Sequence, residues 1–213
     1  MDDELLAEGK RELEPHVPDW QQSALILRKL AERTSPRHVQ WRFDPILFTD
    51  TLGEDFYVER FRDIAQSLAG ATQRCYFSFA LFYDKVERQL LQARIRFRDP
   101  PMEEKQALVR AMADIANEYG ISLYACCEDA LVTGRVHKAH CVDGDLLADL
   151  VPECSLVFKF KPTRKQCGCV ASRDIGMYDT CPHGCIYCYA NQSHQVALER
   201  FRAHDPSGAM LVN

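Results

Sequence analysis

The chain has 213 residues, a hydrophobic content of 46% and a formal net charge of -5 at pH 7. This length suits a single domain with a buried core, and the negative charge argues against a protein that binds nucleic acid mainly through its phosphates. No apolar run is long enough to span a membrane, and the acidic start MDDELLAEGKREL lacks the layout of a signal peptide, so we expect a cytoplasmic protein.

The first part of the chain alternates helical and strand patterns. These patterns predict helices over 19–34, 54–70, 84–97 and 101–119, and strands over 38–43, 74–81 and 121–126. Because strands that alternate with helices are usually parallel, the order predicts an α/β fold with a parallel sheet. Three parallel strands are too few for a complete sheet, so we expect an open edge at 38–43 and a second polypeptide that completes the sheet. The family resemblance given below implies that this sheet is a partial (β/α) barrel-like one.

The pattern weakens after Cys127. A short helix is predicted over 143–150, a strand over 156–160 and a terminal helix over 190–203. The residues from 161 to 192 have few periodic apolar positions and many cysteines, which predicts a loop ordered by metal. We therefore divide the chain into a barrel-like domain, 1–160, and a cysteine-rich iron–sulfur segment with the terminal helix, 161–213.

The chain contains ten cysteines, and five of them fall between positions 167 and 188. In a reducing compartment, such clustering favours a metal site over disulfides. Cys181, Cys185 and Cys188 form a C-x3-C-x2-C run, with Tyr187 just before the third cysteine. Three thiolates can hold three irons of a [4Fe–4S] cluster and leave the fourth iron open to S-adenosylmethionine, as in radical-SAM enzymes. The alternative is a structural zinc site, which needs a fourth ligand.

A second metal site is predicted at Cys167 and Cys169, whose C-x-C spacing brings two thiols to one side of a loop. We expect Cys127, or its neighbour Cys126, and Cys141 to complete it and to bind an auxiliary cluster or zinc. The alternative is that these are free cysteines packed as small apolar groups. The two remaining cysteines are assigned to the core: Cys75 and Cys154.

Arg42 and Asp44 follow the first predicted strand in the run WRFDP. Functional groups collect beyond the carboxyl ends of parallel strands, so these two residues are candidate catalytic groups. Arg42 would bind the carboxylate of S-adenosylmethionine, and Asp44 would accept from its ribose hydroxyls. The alternative is a structural ion pair between them. Ser78, Tyr83 and Lys85 are candidates for the same cavity.

Three stretches carry a family resemblance: VQWRFDPILF at 39–48, CYFSFALFYDK at 75–85 and CGCVASRDIGMYDTCPHGCIYCYAN at 167–191. Together they closely resemble an uncharacterised family, domain of unknown function 1848 (DUF1848). The resemblance implies a [4Fe–4S] cluster on Cys181, Cys185 and Cys188 and a barrel-like α/β fold, and it supplies no substrate. Members of that family begin with a further segment, so this chain resembles the C-terminal two-thirds of a member.

The expected function is that of an iron–sulfur, radical-SAM-like enzyme, or of a C-terminal fragment of one, with an unknown substrate. Such an enzyme needs an electron donor, for which flavodoxin or ferredoxin is the candidate partner. Two alternatives stay open at this point: a zinc-stabilised binding module, and a catalytically inert fragment that binds a cluster.

Overall fold

The computed structural model describes residues 11–153 and 157–212. The helices are α1 (Trp20–Arg33), α2 (Glu54–Leu68), α3 (Asp84–Gln92), α4 (Met102–Glu118), α5 (Gly144–Leu150) and α6 (His194–Ala203). The strands are β1 (Trp41–Ile46), β2 (Phe48–Thr49), β3 (Arg74–Phe79), β4 (Phe97–Arg98), β5 (Ser122–Ala125) and β6 (Val136–Lys138). A single turn of 3₁₀ helix, Asp129–Leu131, stands between β5 and β6.

Four strands form a parallel sheet in the order β1-β3-β5-β6. Helix α2 connects β1 to β3, and α3 and α4 lie between β3 and β5 in the chain, which confirms the predicted α/β fold. Strand β6 was not predicted from the sequence, because its three residues are too few to show the alternation of a strand. Strands β2 and β4 pair separately as a small antiparallel sheet. No closed barrel forms within 11–153 and 157–212.

Some predicted boundaries differ from the structure. Helix α3 ends at Gln92, and Arg94 then adopts a positive φ of 58° that turns the chain out of the helix. The predicted strand over 156–160 lies partly outside the described residues, and its last residue, Phe160, makes an isolated bridge with Val170. Cys154 also lies outside the described residues. Helix α6 begins at His194, because the Ser193 side chain caps it by accepting from Val196 N.

One face of the parallel sheet is apolar and packs against α2 and α4. Side chains alternate along a strand, so Cys75 and Phe77 of β3 point to this face together with Leu123 of β5. Phe61 of α2 is fully buried there, with its ring 4.7 Å from the ring of Trp41. This contact ties the helical layer to β1 and forms the centre of the main core.

The opposite face of the sheet is polar and aromatic. Arg42, Tyr76, Tyr124 and His137 lie side by side in one register row across the four strands. The rings of Tyr76 and Tyr124 stack at 5.1 Å, and the ring of His137 lies 5.1 Å from Tyr124. This face leads to the cysteines at the carboxyl ends of the strands.

Strand β1 lies at one edge of the sheet and, among the described residues, pairs only with β3. Helix α1 and the segment around Leu13 and Glu14 flank a cavity of about 350 Å³ beside this strand. The expected open edge at the first strand is therefore present. In the part of the chain that the structure describes, no helix combines the length and the apolar character that a membrane crossing demands.

We expect Phe61→Ala to destabilise the fold by about 3–5 kcal/mol, because the truncation leaves a cavity between α2 and β1. The measurement is urea unfolding followed by circular dichroism. Leu91→Ala, at a helical side chain that is 66% exposed, is the matched control and should change stability by no more than about 0.5 kcal/mol. If both substitutions lowered stability equally, the packing of Phe61 in the core between α2 and β1 would be contradicted.

Candidate metal centres

The C-x3-C-x2-C run lies in a loop, 179–192, that precedes α6. The loop packs at the carboxyl end of β3. Lys85 Nζ, one residue inside α3, donates to the carbonyl oxygens of Asn191 and Tyr189, the latter at 3.5 Å. The ring of Tyr83 lies 6.1 Å from the ring of Tyr189. Tyr83 and Lys85 therefore contact the cysteine loop, and they do not line the cavity that Arg42 and Asp44 line.

Side chains that flank the cysteines hold the main chain of this loop. Asn191 Nδ2 donates to Cys181 O at 2.6 Å, and His194 Nε2 lies 2.9 Å from Pro182 O. The carboxylate of Asp179 accepts from Gln192 N and, at 3.0 Å, from Ser193 N. These hydrogen bonds to backbone groups join the beginning of the loop to its end.

Two further contacts fasten the loop to the rest of the chain. Ile186 N donates to Leu13 O at 2.9 Å, and Arg200 Nη1 of α6 donates to Tyr178 O at 3.0 Å. Sequence reasoning missed these anchors and the partners of Asn191 and His194. The available signal was the set of hydrogen-bonding side chains immediately beside the cysteines.

Gly184 permits the turn between the first two cysteines. Its φ is 68°, a left-handed conformation that side chains disfavour. A methyl group at this position would also lie 2.9 Å from Nε2 of His194, the residue that bonds the loop at Pro182. The spacing therefore requires glycine both for its backbone conformation and for the close approach of an imidazole.

The three thiols share one electrostatic neighbourhood. Cys181 is exposed, whereas Cys185 and Cys188 are half-buried. Burial, followed by the charges of Glu14, Cys188 and Cys181, raises the pKa of Cys185 to about 11. Like-charged thiolates in one loop repel each other, and a bound cation removes that penalty. The arrangement therefore favours a positively charged ligand.

Tyr187, the aromatic residue of the motif, is held by Glu14. Its hydroxyl donates to the Glu14 carboxylate, and burial, followed by the charge of Glu14, raises the pKa of Tyr187 far above its usual value. The phenol is therefore neutral at physiological pH. The side chain also lines the cavity beside β1, so the cysteine loop forms part of the wall of that cavity.

A second group of cysteines gathers at the ends of β5 and β6. Cys126 Sγ lies 3.5 Å from Cys141 Sγ and 3.8 Å from Cys127 Sγ. Backbone bonds place the C-x-C pair beside this turn, since the residue after Cys141 donates to Cys169 Sγ and Cys169 N donates to Cys167 Sγ. The predicted cysteines of the second site therefore lie in one region, and their binding of a metal stays a prediction. Cys75 is buried in the main core, as predicted.

Polar groups surround the sulfurs of this second group. Val142 N donates to Cys169 Sγ at 3.4 Å, and Cys169 N donates to Cys167 Sγ at 3.5 Å. The hydroxyl of Thr163 lies 3.6 Å from the Cys167 sulfur. The hydrogen bond from Cys126 and the nearby Arg42 lower the pKa of Cys141 to about 5, so its thiolate is the favoured form.

Arg42 and Asp44 form an ion pair on the polar face of the sheet. Arg42 Nη2 lies 2.6 Å from Asp44 Oδ2, and Arg42 Nη1 lies 3.4 Å from Cys141 Sγ. Burial by itself lowers the pKa of Arg42, but its bonds to Asp44 and Cys141 raise it well above the usual value. Ser78 Oγ donates to Asp44 Oδ2 at 3.4 Å. The pair therefore lies beside the second cysteine group, with the predicted Ser78.

Arg164 feels charges from both parts of the site. Burial lowers the pKa of its guanidinium, and Cys127 and Cys126, together with Tyr83 and Tyr189, raise it above the usual value. Tyr189 belongs to the C-x3-C-x2-C loop, so this cation is within electrostatic reach of that loop and of the second cysteine group.

Across 11–153 and 157–212, no three His, Cys, Asp or Glu side chains already meet at one point as metal ligands do. The cysteine loop does border a cavity of about 380 Å³, whose lining includes Cys185, Cys188, Asn191 and His194. Gln89 of α3 also lines it, and in the described part of the chain its Oε1 is a buried oxygen without a hydrogen-bond partner. A buried acceptor without a donor suits a ligand that carries one.

The fold and site define an α/β protein with two cysteine groups at the carboxyl end of a parallel sheet. A model of the family described as domain of unknown function (DUF1848) matches residues 5–190, and the chain belongs to this family. The resemblance found in its sequence is thereby confirmed. No curated protein and no solved structure matches the chain.

We expect Gly184→Ala to lower the iron bound by anaerobically reconstituted protein at least several-fold, because the new methyl group displaces His194 from the loop. Gly134→Ala is the control. Gly134 has a similar φ of 59° but nothing within 4 Å of an added methyl group, so it carries the backbone penalty of about 1–2 kcal/mol alone. Equal iron content in both variants would contradict the role assigned to Gly184.

Proposed function

We propose that the protein binds a [4Fe–4S] cluster through Cys181, Cys185 and Cys188 and acts on S-adenosylmethionine as a radical-SAM-like enzyme. The observation that carries the proposal is the C-x3-C-x2-C loop itself. Its main chain is fixed by Lys85 and Asn191, its three thiols are electrostatic neighbours, and two of them, Cys185 and Cys188, line a cavity. Thiolates are the ligands that such clusters take.

The donor set fits this cluster. Three cysteines supply three of the four cluster ligands, and the fourth iron stays open to a small molecule. When bound and reduced by one electron, such a cluster donates that electron to the sulfonium of S-adenosylmethionine, whose C–S bond breaks to give methionine and a 5′-deoxyadenosyl radical. The electron comes from an external donor of the flavodoxin or ferredoxin class. The protein contributes binding, orientation and exclusion of water.

The cavity beside Cys185 and Cys188 is the proposed site of the methionyl part of S-adenosylmethionine. Gln89 Oε1 is a buried acceptor at its wall, and the methionyl ammonium is a donor that suits it. Gln89 would thus orient the amino end of the cofactor. Arg42 and Asp44 stay candidate binding groups for its carboxylate and ribose, although their mutual ion pair favours a structural role.

The substrate belongs, in this proposal, in the cavity beside β1. Tyr187 of the cysteine loop lines that cavity, and most of the lining is apolar, including Trp41, Phe43 and Phe56. These walls favour a substrate with an apolar body. The open edge of β1 supports the expectation of a second polypeptide that extends the sheet, and a cytoplasmic location suits the free cysteines.

We expect anaerobically reconstituted protein to hold about four irons and four sulfides on this loop, following the cubane composition. Replacing Cys181, Cys185 or Cys188 by alanine should remove most of that iron, whereas Cys75→Ala should keep it. The measurements are iron and sulfide content, electron paramagnetic resonance of the reduced sample, and formation of 5′-deoxyadenosine. Stoichiometric zinc on these three cysteines, with no iron, would instead support the zinc-stabilised binding module. A bound cluster without 5′-deoxyadenosine would support the inert fragment.

We expect Gln89→Leu to weaken binding of S-adenosylmethionine about tenfold or more, which is the effect of losing one hydrogen bond to a charged group. Because the substitution removes a buried acceptor without a partner, it should leave thermal stability unchanged or raise it. Equilibrium dialysis and thermal unfolding measure the two effects, and Gln22→Leu on the exposed surface of α1 is the control. Unchanged affinity in Gln89→Leu would remove this residue from the site.

A further inference from the structure

The second cysteine group lies at the ends of β5 and β6, apart from the C-x3-C-x2-C loop. The sulfurs of Cys126 and Cys141 are in contact, and backbone N–H bonds to the sulfurs of Cys169 and Cys167 hold the C-x-C pair beside them. Three separate parts of the chain supply them: the end of β5, the turn after β6 and the C-x-C loop. Such convergence of thiols from distant positions is more than packing requires.

We propose that Cys126, Cys141, Cys167 and Cys169 bind one zinc ion. This inference does not rest on the proposed enzyme activity, and it replaces the expected ligand Cys127 by its neighbour Cys126. Cys126 extends the β5 ladder by one residue, since its N–H bonds to Phe77 O at 2.9 Å, and its sulfur contacts Cys141. Cys127 has a φ of 55°, which ends the strand.

The spacing of the sulfurs favours a single ion over a cluster. Zinc–sulfur bonds of about 2.3 Å in a tetrahedron place the sulfurs roughly 3.8 Å apart. The Cys126 and Cys141 sulfurs lie 3.5 Å apart, which is close to that edge, and the Cys126 and Cys127 sulfurs lie 3.8 Å apart, so the choice between Cys126 and Cys127 rests on the contact with Cys141. A cubane cluster binds each thiolate to a different iron and therefore spreads its ligands farther. A single ion would draw the four neighbouring thiols around one centre.

The surroundings provide compensation for the charge of such a site. Four thiolates and one Zn²⁺ carry a net charge of about -2. Arg42 Nη1, at 3.4 Å from Cys141 Sγ, supplies a positive charge. The N–H groups of Val142 and Cys169 and the hydroxyl of Thr163 point at the sulfurs of Cys169 and Cys167. Donors of this kind fix and stabilise metal-bound thiolates.

The glycine of the C-x-C loop fits this role as well. A methyl group at Gly168 would lie 2.4 Å from Cδ2 of His140, so only glycine lets the loop approach the turn that carries Cys141. The backbones also bond there, from Val170 N to Val142 O at 3.1 Å. The zinc site would therefore fasten the C-x-C loop across the polar face of the sheet. Closed tetrahedral sites of this type have a structural role.

The test uses the full chain with Cys181, Cys185 and Cys188 all changed to alanine, so that the outcome is independent of the first cluster. We expect about one zinc per chain by elemental analysis, as a site with four protein ligands predicts. In this background Cys126→Ser, Cys141→Ser, Cys167→Ser and Cys169→Ser should each lower zinc affinity at least tenfold. Cys127→Ser and Cys75→Ser are the matched controls and should retain the ion.

A second measurement keeps the proposal testable if a serine variant fails to fold. Cobalt(II) exchanged for zinc in the triple variant should give the intense absorption of a tetrahedral tetrathiolate, and the bound ion should protect those four thiols from alkylation as read by mass spectrometry. Absence of metal, an iron–sulfur chromophore on these cysteines, or protection of Cys127 in place of Cys126 would overturn the assignment.

Discussion

Alternation of side chains across a parallel sheet decides where chemistry is possible in this protein. In β3, Phe77 enters the core under α2 and α4, so Tyr76 and Ser78 must face the other way. Because the strands are parallel, the segments that leave their carboxyl ends meet at one edge. Both cysteine groups lie there, and the apolar face cannot accept charged ligands without a large desolvation cost.

The two groups are built differently, which suits them to the different ligands proposed for them. The C-x3-C-x2-C loop is fixed through its carbonyl and amide groups by Lys85, Asn191 and Asp179, and it borders a cavity. The loop therefore has room beside it for a small molecule. In the second group, donors point at the sulfur atoms themselves, and Gly168 lies so close to His140 that a side chain would not fit. This group is therefore proposed as a closed site.

The sequence predicted the elements with strong periodicity and the spacing of the motif, because both are local properties. The helix over 101–119 corresponds to α4, and the strand over 74–81 corresponds to β3. Strand β6 could not be found, since three residues carry no period. The sequence also could not decide between Cys126 and Cys127 as a ligand of the second site. That choice depends on which of the two thiols contacts Cys141 at the end of β5, and only the fold shows this. Gln89 could not be predicted as a site residue, because the lack of a hydrogen-bond partner for its Oε1 among the described residues results from packing and leaves no pattern in the sequence.

We propose that one chain holds two centres of different kinds, an open iron–sulfur cluster and a closed zinc ion. X-ray absorption at the iron and zinc edges of one anaerobic sample distinguishes the two centres. We expect iron surrounded by sulfur with neighbouring irons, and zinc surrounded by four sulfurs at about 2.3 Å. Zinc with fewer than four sulfur neighbours, or iron without neighbouring iron, would rule out this pair of centres.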